Sequence, residues 1–283
     1  MTSSITVAQA CELDASIKEL CQHIEVSQLE PLSGGLSNRC WKITAEGRQF
    51  VWRPVSSISM AFDINRHQEY KTLYSLRELD LAPMPELLLD SGLLVEWADG
   101  TELPAKHALS VLPSLLAEIH EQPHTELPLL SIKERCQHYW LQLHPENQTE
   151  LGKRLVVYFE QLDTQFRFPP TLCHFDLGYY NIVDNKGKYK VIDWEYACLG
   201  DPSQDLAMTI IANELEADLV IEQYCQQRSI SNMTPWQNAV AHWQPWIIYL
   251  GALWFRLGYQ LWQQDEYLQR AEQYEGLLAE LIE

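Results

Sequence analysis

The run His174-Phe175-Asp176-Leu177-Gly178-Tyr179-Tyr180-Asn181 sets a carboxylate and a carboxamide five positions apart, and Val191-Ile192-Asp193-Trp194-Glu195 adds further carboxylates, the first of them twelve residues beyond Asn181. Moving a phosphoryl group onto an alcohol needs a carboxylate beside the attacking hydroxyl, to orient it and accept its proton. It also needs hard oxygen ligands for the Mg²⁺ that neutralises the phosphate oxygens. Asp176 suits the first task. Asn181 can turn its side-chain oxygen to a metal, and Asp193, at the end of an apolar strand, can reach the metal from the other side. Asn185-Lys186-Gly187 reads as a turn between two short strands, which would bring Asn181 and Asp193 close. Taken singly, Asp176 and Asn181 also suit a turn and Asp193 a strand end; the combination and its intervals point to chemistry.

The elements that must hold these residues follow from periodicity and breakers. Leu13, Ile17, Leu20, Cys21 and Ile24 recur at helical spacing, so the first thirty residues read as helix. Leu32 to Asn38 is a turn-rich loop. Cys40–Thr44 and Gln49–Arg53 read as strands about the turn Ala45–Arg48, stopped by Pro54. Ile64 to Leu79 returns to a helical period, and Leu87–Leu89 with Leu93–Glu96 forms a hairpin about Asp90-Ser91-Gly92. Beyond Gly100 the chain is mostly helical: Lys106–His120, a helix opened by the capping box of Ser131 and Glu134, and Thr149–Phe166. A β-rich island fills 171–194, and helices resume from Ser203, ending in a long aromatic-rich pair.

The motifs together resemble the aminoglycoside phosphotransferase and choline kinase superfamily, over nearly the whole chain. The resemblance implies an α+β, protein-kinase-like two-lobe fold. Residues 1–95 would form a small β-rich lobe, 96–100 the hinge, and 101–283 a larger, mostly helical lobe. It implies ATP and Mg²⁺ as cofactors. Ser33-Gly34-Gly35-Leu36-Ser37-Asn38 resembles the phosphate-covering loop, whose backbone N–H groups approach phosphate where glycine leaves room. Arg53 stands where the family has the basic residue of its third strand, and Glu69 would pair with it. Glu96 to Ala98 resembles the segment that meets adenine through its backbone. Asp176 would be the catalytic carboxylate, with Asn181 and Asp193 as metal ligands. His174, Asp201 and Asp205 would support the catalytic loop, although Asp201 or Ser203 serves equally as a helix N-cap. His120, in a stretch like the family's Leu-x-x-Leu-His helix, reads more readily as a packed structural histidine.

The departures separate this chain from protein kinases. Phe175 replaces the Arg of His-Arg-Asp, Asp193 is followed by Trp-Glu rather than Phe-Gly, and no Ala-Pro-Glu segment follows. The choline-kinase-like branch is the better match.

For the acceptor, the C-terminal helices carry Trp243, Trp246 and Trp254, which in this architecture would wall the pocket. Aromatic faces attract cations, Glu195 adds a carboxylate, and the chain carries −19. These features favour a small cationic alcohol, although tryptophans at helical spacing equally suit a core. Leu127-Pro128-Leu129-Leu130, Asp193-Trp194-Glu195-Tyr196-Ala197 and Trp243-Gln244-Pro245-Trp246 are similar to the bacterial thiamine kinases, which makes thiamine the expected acceptor and thiamine phosphate the product. Choline or ethanolamine is the alternative acceptor. An aminoglycoside phosphotransferase and a non-catalytic kinase-like binding module stand behind it.

Composition limits the rest. With 20 Lys and Arg against 39 Asp and Glu, the field repels nucleic acid and anionic membrane. No basic-then-apolar leader opens the chain and no apolar run is long enough to span a bilayer, so a cytoplasmic location is expected. Seven scattered cysteines without a Cys-x-x-Cys read as free thiols. Oligomeric state has no signature here.

Overall fold

The computed structural model describes residues 6–32, 40–122 and 127–282. It divides into two compact units: residues up to Glu102 with Ile182–Tyr196, and Leu103–Asn181 with residues from Ala197 onward. The segment Ile182–Tyr196, counted with the C-terminal lobe from sequence, groups with the N-terminal unit. An antiparallel sheet characterises the first unit and helices dominate the second, which is the expected α+β organisation.

In the first unit, α1 (Val7–Leu13) and α2 (Ala15–His23) divide the helical stretch read from sequence. The break falls at Asp14, whose carboxylate caps α2 through Ser16 N and accepts Trp41 Nε1 at 2.9 Å. Residues expected to prolong the helix instead form β1 (Val26–Pro31), because they pair with β2 (Trp41–Ala45); for so short a segment, partner strands outweigh local preference. β3 (Arg48–Pro54), β4 (Pro85–Leu89) and β5 (Gly92–Glu96) complete a sheet of order β1-β2-β3-β5-β4. Glu46 and Gly47 both have positive φ (51° and 75°), which matches the twist of a two-residue hairpin between β2 and β3. Phe50 and Trp52 of β3 join Ile17, Leu20 and Ile43 in the core.

The short α3 (Ser57–Ala61) and α4 (Arg66–Ser75) follow β3, and α4 packs on β4 and β5. Asn65 caps α4 through the backbone N–H groups of His67 and Gln68. Ile182–Asn185 pairs with Lys188–Val191 through a turn at Lys186 and Gly187, and Thr101–Glu102 pairs with the first of these strands.

The second unit holds α5 (Ala108–His120), α6 (Ile132–Gln142), α7 (Glu150–Glu160), α8 (Pro202–Ala212), α9 (Ala217–Gln227), α10 (Thr234–Trp262) and α11 (Asp265–Ile282). The helix expected to reach Phe166 stops at Glu160. The strand Thr171–Cys173 pairs antiparallel with Cys198–Gly200. α10 packs on α8 and α11, burying Trp236, Trp243 and Trp246. All seven cysteines are free. Among the described residues no helix is long and apolar enough to cross a membrane.

Candidate active site

The first unit builds a buried ion cluster around Arg53. Side chains alternate along a strand, so Arg53 lies on the face of β3 opposite Trp52, which joins the core under α1 and α2. The first turn of α4 supplies Arg66 and Glu69, both buried. Arg53 Nε lies 2.8 Å from Glu69 Oε1, a close ion pair without hydrogen-bond alignment. Arg53 Nη2 donates to Asp193 Oδ1 at 2.5 Å and to Glu195 Oε2 at 2.8 Å. Arg66 Nη1 donates to Glu69 Oε2 at 2.5 Å and to Glu195 Oε2 at 3.1 Å.

Burial alone would depress the Arg53 guanidinium, but Asp193 and Glu69 outweigh it and hold the group well above its ordinary value. Arg66 behaves alike: burial acts against it, Glu69 outweighs burial, and the net direction is upward. Both arginines therefore stay charged. Asp193 follows the strand Lys188–Val191 and takes φ of 65°. Its side chain is 29% exposed, against 2% for Glu69 and Glu195.

The second unit holds the loop around Asp176. It leaves the strand Thr171–Cys173 through His174 and Phe175, and Phe175 takes φ of 58°, unusual for a side chain of that size. Asp205, in the first turn of α8, accepts the backbone N–H of His174 at 2.8 Å and of Phe175 at 2.9 Å. The same carboxylate meets His120 Nε2 at 3.1 Å, while His120 Nδ1 meets the Tyr224 hydroxyl at 2.8 Å. Gly200 leaves room for the Phe175 ring: a Cβ there would sit 2.5 Å from Phe175 Cζ.

Beyond this anchor, the Asp176 carboxylate accepts the Tyr180 hydroxyl on Oδ1 and Asn181 Nδ2 on Oδ2, each at 3.0 Å. Asn181 Nδ2 also donates to the Asp176 carbonyl at 2.9 Å, so the nitrogen side of the amide is committed to Asp176. Asn213 Nδ2 donates to Leu177 O at 3.0 Å, and its Oδ1 accepts Tyr179 N at 3.0 Å. Asp201 caps α8 through Ser203 and also accepts the backbone N–H groups of Arg167 and Phe168. It thus serves as the helix cap and also ties down the segment at Arg167 and Phe168, whereas the catalytic loop takes its hydrogen bonds from Asp205. His120, Cys173 and Asp205 lie close enough to share a metal, but each is engaged by protein partners, Cys173 through Gly200 O at 3.5 Å.

Three expected acceptor contacts are corrected. The Glu195 carboxylate is buried between Arg53 and Arg66 instead of facing a cationic acceptor. Trp243 is fully buried, with Nε1 donating to Asp201 Oδ2 at 3.3 Å. Trp246 is in the core, donating to Asp163 O at 3.3 Å and packed edge-on against Phe159. Helical spacing put both tryptophans on the face of α10 that its neighbours cover. Trp254 is half-buried beside Phe255 and Trp262. Glu96 ends β5 and its side chain lies 3.5 Å from Lys190 Nζ; Ala98 is half-buried in the following segment. Ser33, Gly34, Gly35 and Asn38 lie outside the described residues.

Sequence reasoning missed Arg66, Asn213 and Tyr224. Arg66 stands three residues before Glu69, a spacing at which helical side chains meet, and that was its only signal. The other two depend on helices brought together in the folded chain.

A profile of the phosphotransferase enzyme family matches residues 28–237. The thiamine kinase of Escherichia coli O157:H7 is 27% identical over 248 residues, covering 85% of this chain and 86% of that protein. The choline kinase LicA of Streptococcus pneumoniae superposes with a TM-score of 0.75 at 19% identity, covering 93% of this chain and 97% of that one, and LicA in complex with AMP also superposes with a TM-score of 0.75 at 19% identity, covering 95% of this chain and 98% of that one. These neighbours make the fold kinase-like. The matched span takes in the described candidates from Arg53 to Asp205, and the chain belongs to the phosphotransferase enzyme family as a small-molecule kinase.

Proposed function

We propose that this kinase transfers the γ-phosphoryl group of ATP to the primary hydroxyl of thiamine, giving thiamine monophosphate and ADP. The observation that carries the chemistry is the Asp176 carboxylate, held through one oxygen by Tyr180 and through the other by Asn181. A base for an alcohol must be fixed in direction before it is useful. Asp176 orients the hydroxyl and takes its proton as the new P–O bond forms.

Arg53 binds the α- and β-phosphates of ATP, held in place by Glu69. Asn181 and Asp193 are the residues to hold Mg²⁺. Their donors are hard oxygens, one an amide oxygen whose nitrogen is already committed and the other the most exposed carboxylate of its cluster. When bound, the metal neutralises charge on the phosphate oxygens. Asp205 fixes the backbone ahead of Asp176, and Asp201 fixes the start of α8.

The choice of thiamine rests on the relatives of that name, which match most of this chain. Glu195, Trp243 and Trp246 no longer support a cationic acceptor; Trp254 stays a candidate contact. The deciding experiment is ADP release with Mg²⁺ and ATP against thiamine, choline, ethanolamine and an aminoglycoside. Thiamine should exceed choline in kcat/KM by about a hundredfold or more, the margin expected when a pocket is built for one acceptor. A higher kcat/KM for choline overturns the assignment.

A further inference from the structure

We propose that Arg66 is a positioning residue for nucleotide binding: it neutralises the carboxylates around Arg53, so that the one surplus negative charge of the cluster rests on Asp193.

The argument is one of charge and reach, and it rests on the reading of Arg53 as the phosphate-binding group. Arg53, Glu69, Arg66 and Glu195 form a closed ring in which each carboxylate touches both arginines: Glu69 meets Arg53 at 2.8 Å and Arg66 at 2.5 Å, and Glu195 meets the same pair at 2.8 and 3.1 Å. All four side chains are at least nine-tenths buried. Two cations and two anions cancel. Asp193, also paired with Arg53, is then the odd charge, and it is the carboxylate of the five-residue cluster with real solvent exposure. A buried charge without a partner is costly, whereas a part-exposed carboxylate is suited to meeting a divalent cation.

Without Arg66, a single guanidinium would face three carboxylates. Arg53 would then be drawn into Glu69 and Glu195, and the negative surroundings would oppose the approach of a polyphosphate. Glu195 explains why the arrangement needs two arginines: it is the additional buried carboxylate beside the Arg53–Glu69 pair.

The ring also shows which property of Arg66 matters. Both of its contacts run from Nη1, while Nε and Nη2 are buried without a hydrogen-bond partner. The fork of the guanidinium is not used, so a point charge in the position of Nη1 should serve. An ammonium can supply it.

The test compares R66M, R66K and the double variant R66M/E195Q. The readouts are Mg·ATP binding by equilibrium titration, and kcat and KM for ATP in ADP release, with folding checked by near-UV circular dichroism. R66M should weaken ATP binding by about tenfold or more, with a larger change in KM for ATP than in kcat. R66K should bind ATP within about twofold of the parent protein. R66M/E195Q, which again has one more carboxylate than arginine, should recover part of the R66M loss, a result that a packing role does not produce.

ATP binding by folded R66M equal to that of the parent overturns the proposal, as does a double variant weaker than R66M. If R66M does not fold, R66K decides: parent-like ATP binding supports the point-charge role, and a tenfold loss overturns it. If the parent protein binds ATP but phosphorylates none of the alcohols, the reading of the acceptor fails while the titrations still judge Arg66.

Discussion

Asn181 uses one side-chain nitrogen to bind Asp176 twice, at the backbone carbonyl and at the carboxylate, at 2.9 and 3.0 Å. The two residues therefore act as a unit: the Asn181 amide nitrogen orients the Asp176 carboxylate, and under the proposed mechanism the amide oxygen would meet the metal. Replacing Asp176 by Ala should lower kcat by about 10³-fold and leave the KM for ATP nearly unchanged, as loss of a positioned base does. Asn181→Ala should lower kcat and also raise the Mg²⁺ concentration needed for half-maximal rate. Steady-state assays across a Mg²⁺ series check both; a loss confined to ATP affinity in D176A contradicts the role of Asp176.

Asp205 is a structural counterpart to that pair. Its carboxylate takes two backbone N–H groups of the loop and His120, all buried. Asp205→Asn exchanges one acceptor oxygen for a donor facing other donors, so urea unfolding should show a loss of about 3 kcal/mol, the scale of a broken buried charge network. Because Phe175 is held at positive φ by the same carboxylate, kcat should fall in the variant even where it is fully folded. Unchanged stability and kcat would remove Asp205 from this role.

Trp246 offers a test of the corrected acceptor contacts. Its ring is packed against Phe159, itself stacked on Tyr249 at 4.2 Å. Trp246→Ala should destabilise the protein by about 3–5 kcal/mol through cavity formation. Trp246→Phe should fold and keep the acceptor KM within about twofold, since the indole is buried against Phe159 and its N–H is spent on the Asp163 carbonyl. A tenfold rise in acceptor KM without a change in Tm would return Trp246 to the substrate.

His242 predicts a pH dependence of stability. Burial and the Arg167 guanidinium, 3.0 Å away, depress its imidazole below the ordinary 6.5, and Asp163 and Asp201 offset this only in part. With the folded value below the unfolded one, the unfolded chain binds more protons between them, so stability is full above the unfolded value and falls as pH drops through the folded one. His242→Gln should flatten that part of a Tm profile taken between about pH 5 and 7.5. An unchanged slope in H242Q means that other groups govern it.

The local signals in the sequence were those in which a residue's neighbours along the chain decide its structure. The turn at Glu46-Gly47, the hairpin Leu87–Glu96, the cap at Ser131 and the pairing of Asp176 with Asn181 five residues on are of this kind. The family resemblance, and not chain distance, proposed Glu69 as the partner of Arg53, and the two lie 2.8 Å apart. What tertiary structure alone decided was which side chains lose water together. Packing of α10 on its neighbours, with Trp243 against Asp201 and Trp246 against Phe159, turned both from pocket candidates into core, and pairing with β2 made a strand of residues that read as helix. Glu195 could be placed only once α4 brought Arg66 against it, because Coulomb attraction and desolvation depend on distance through space, and 129 residues of chain separate the two.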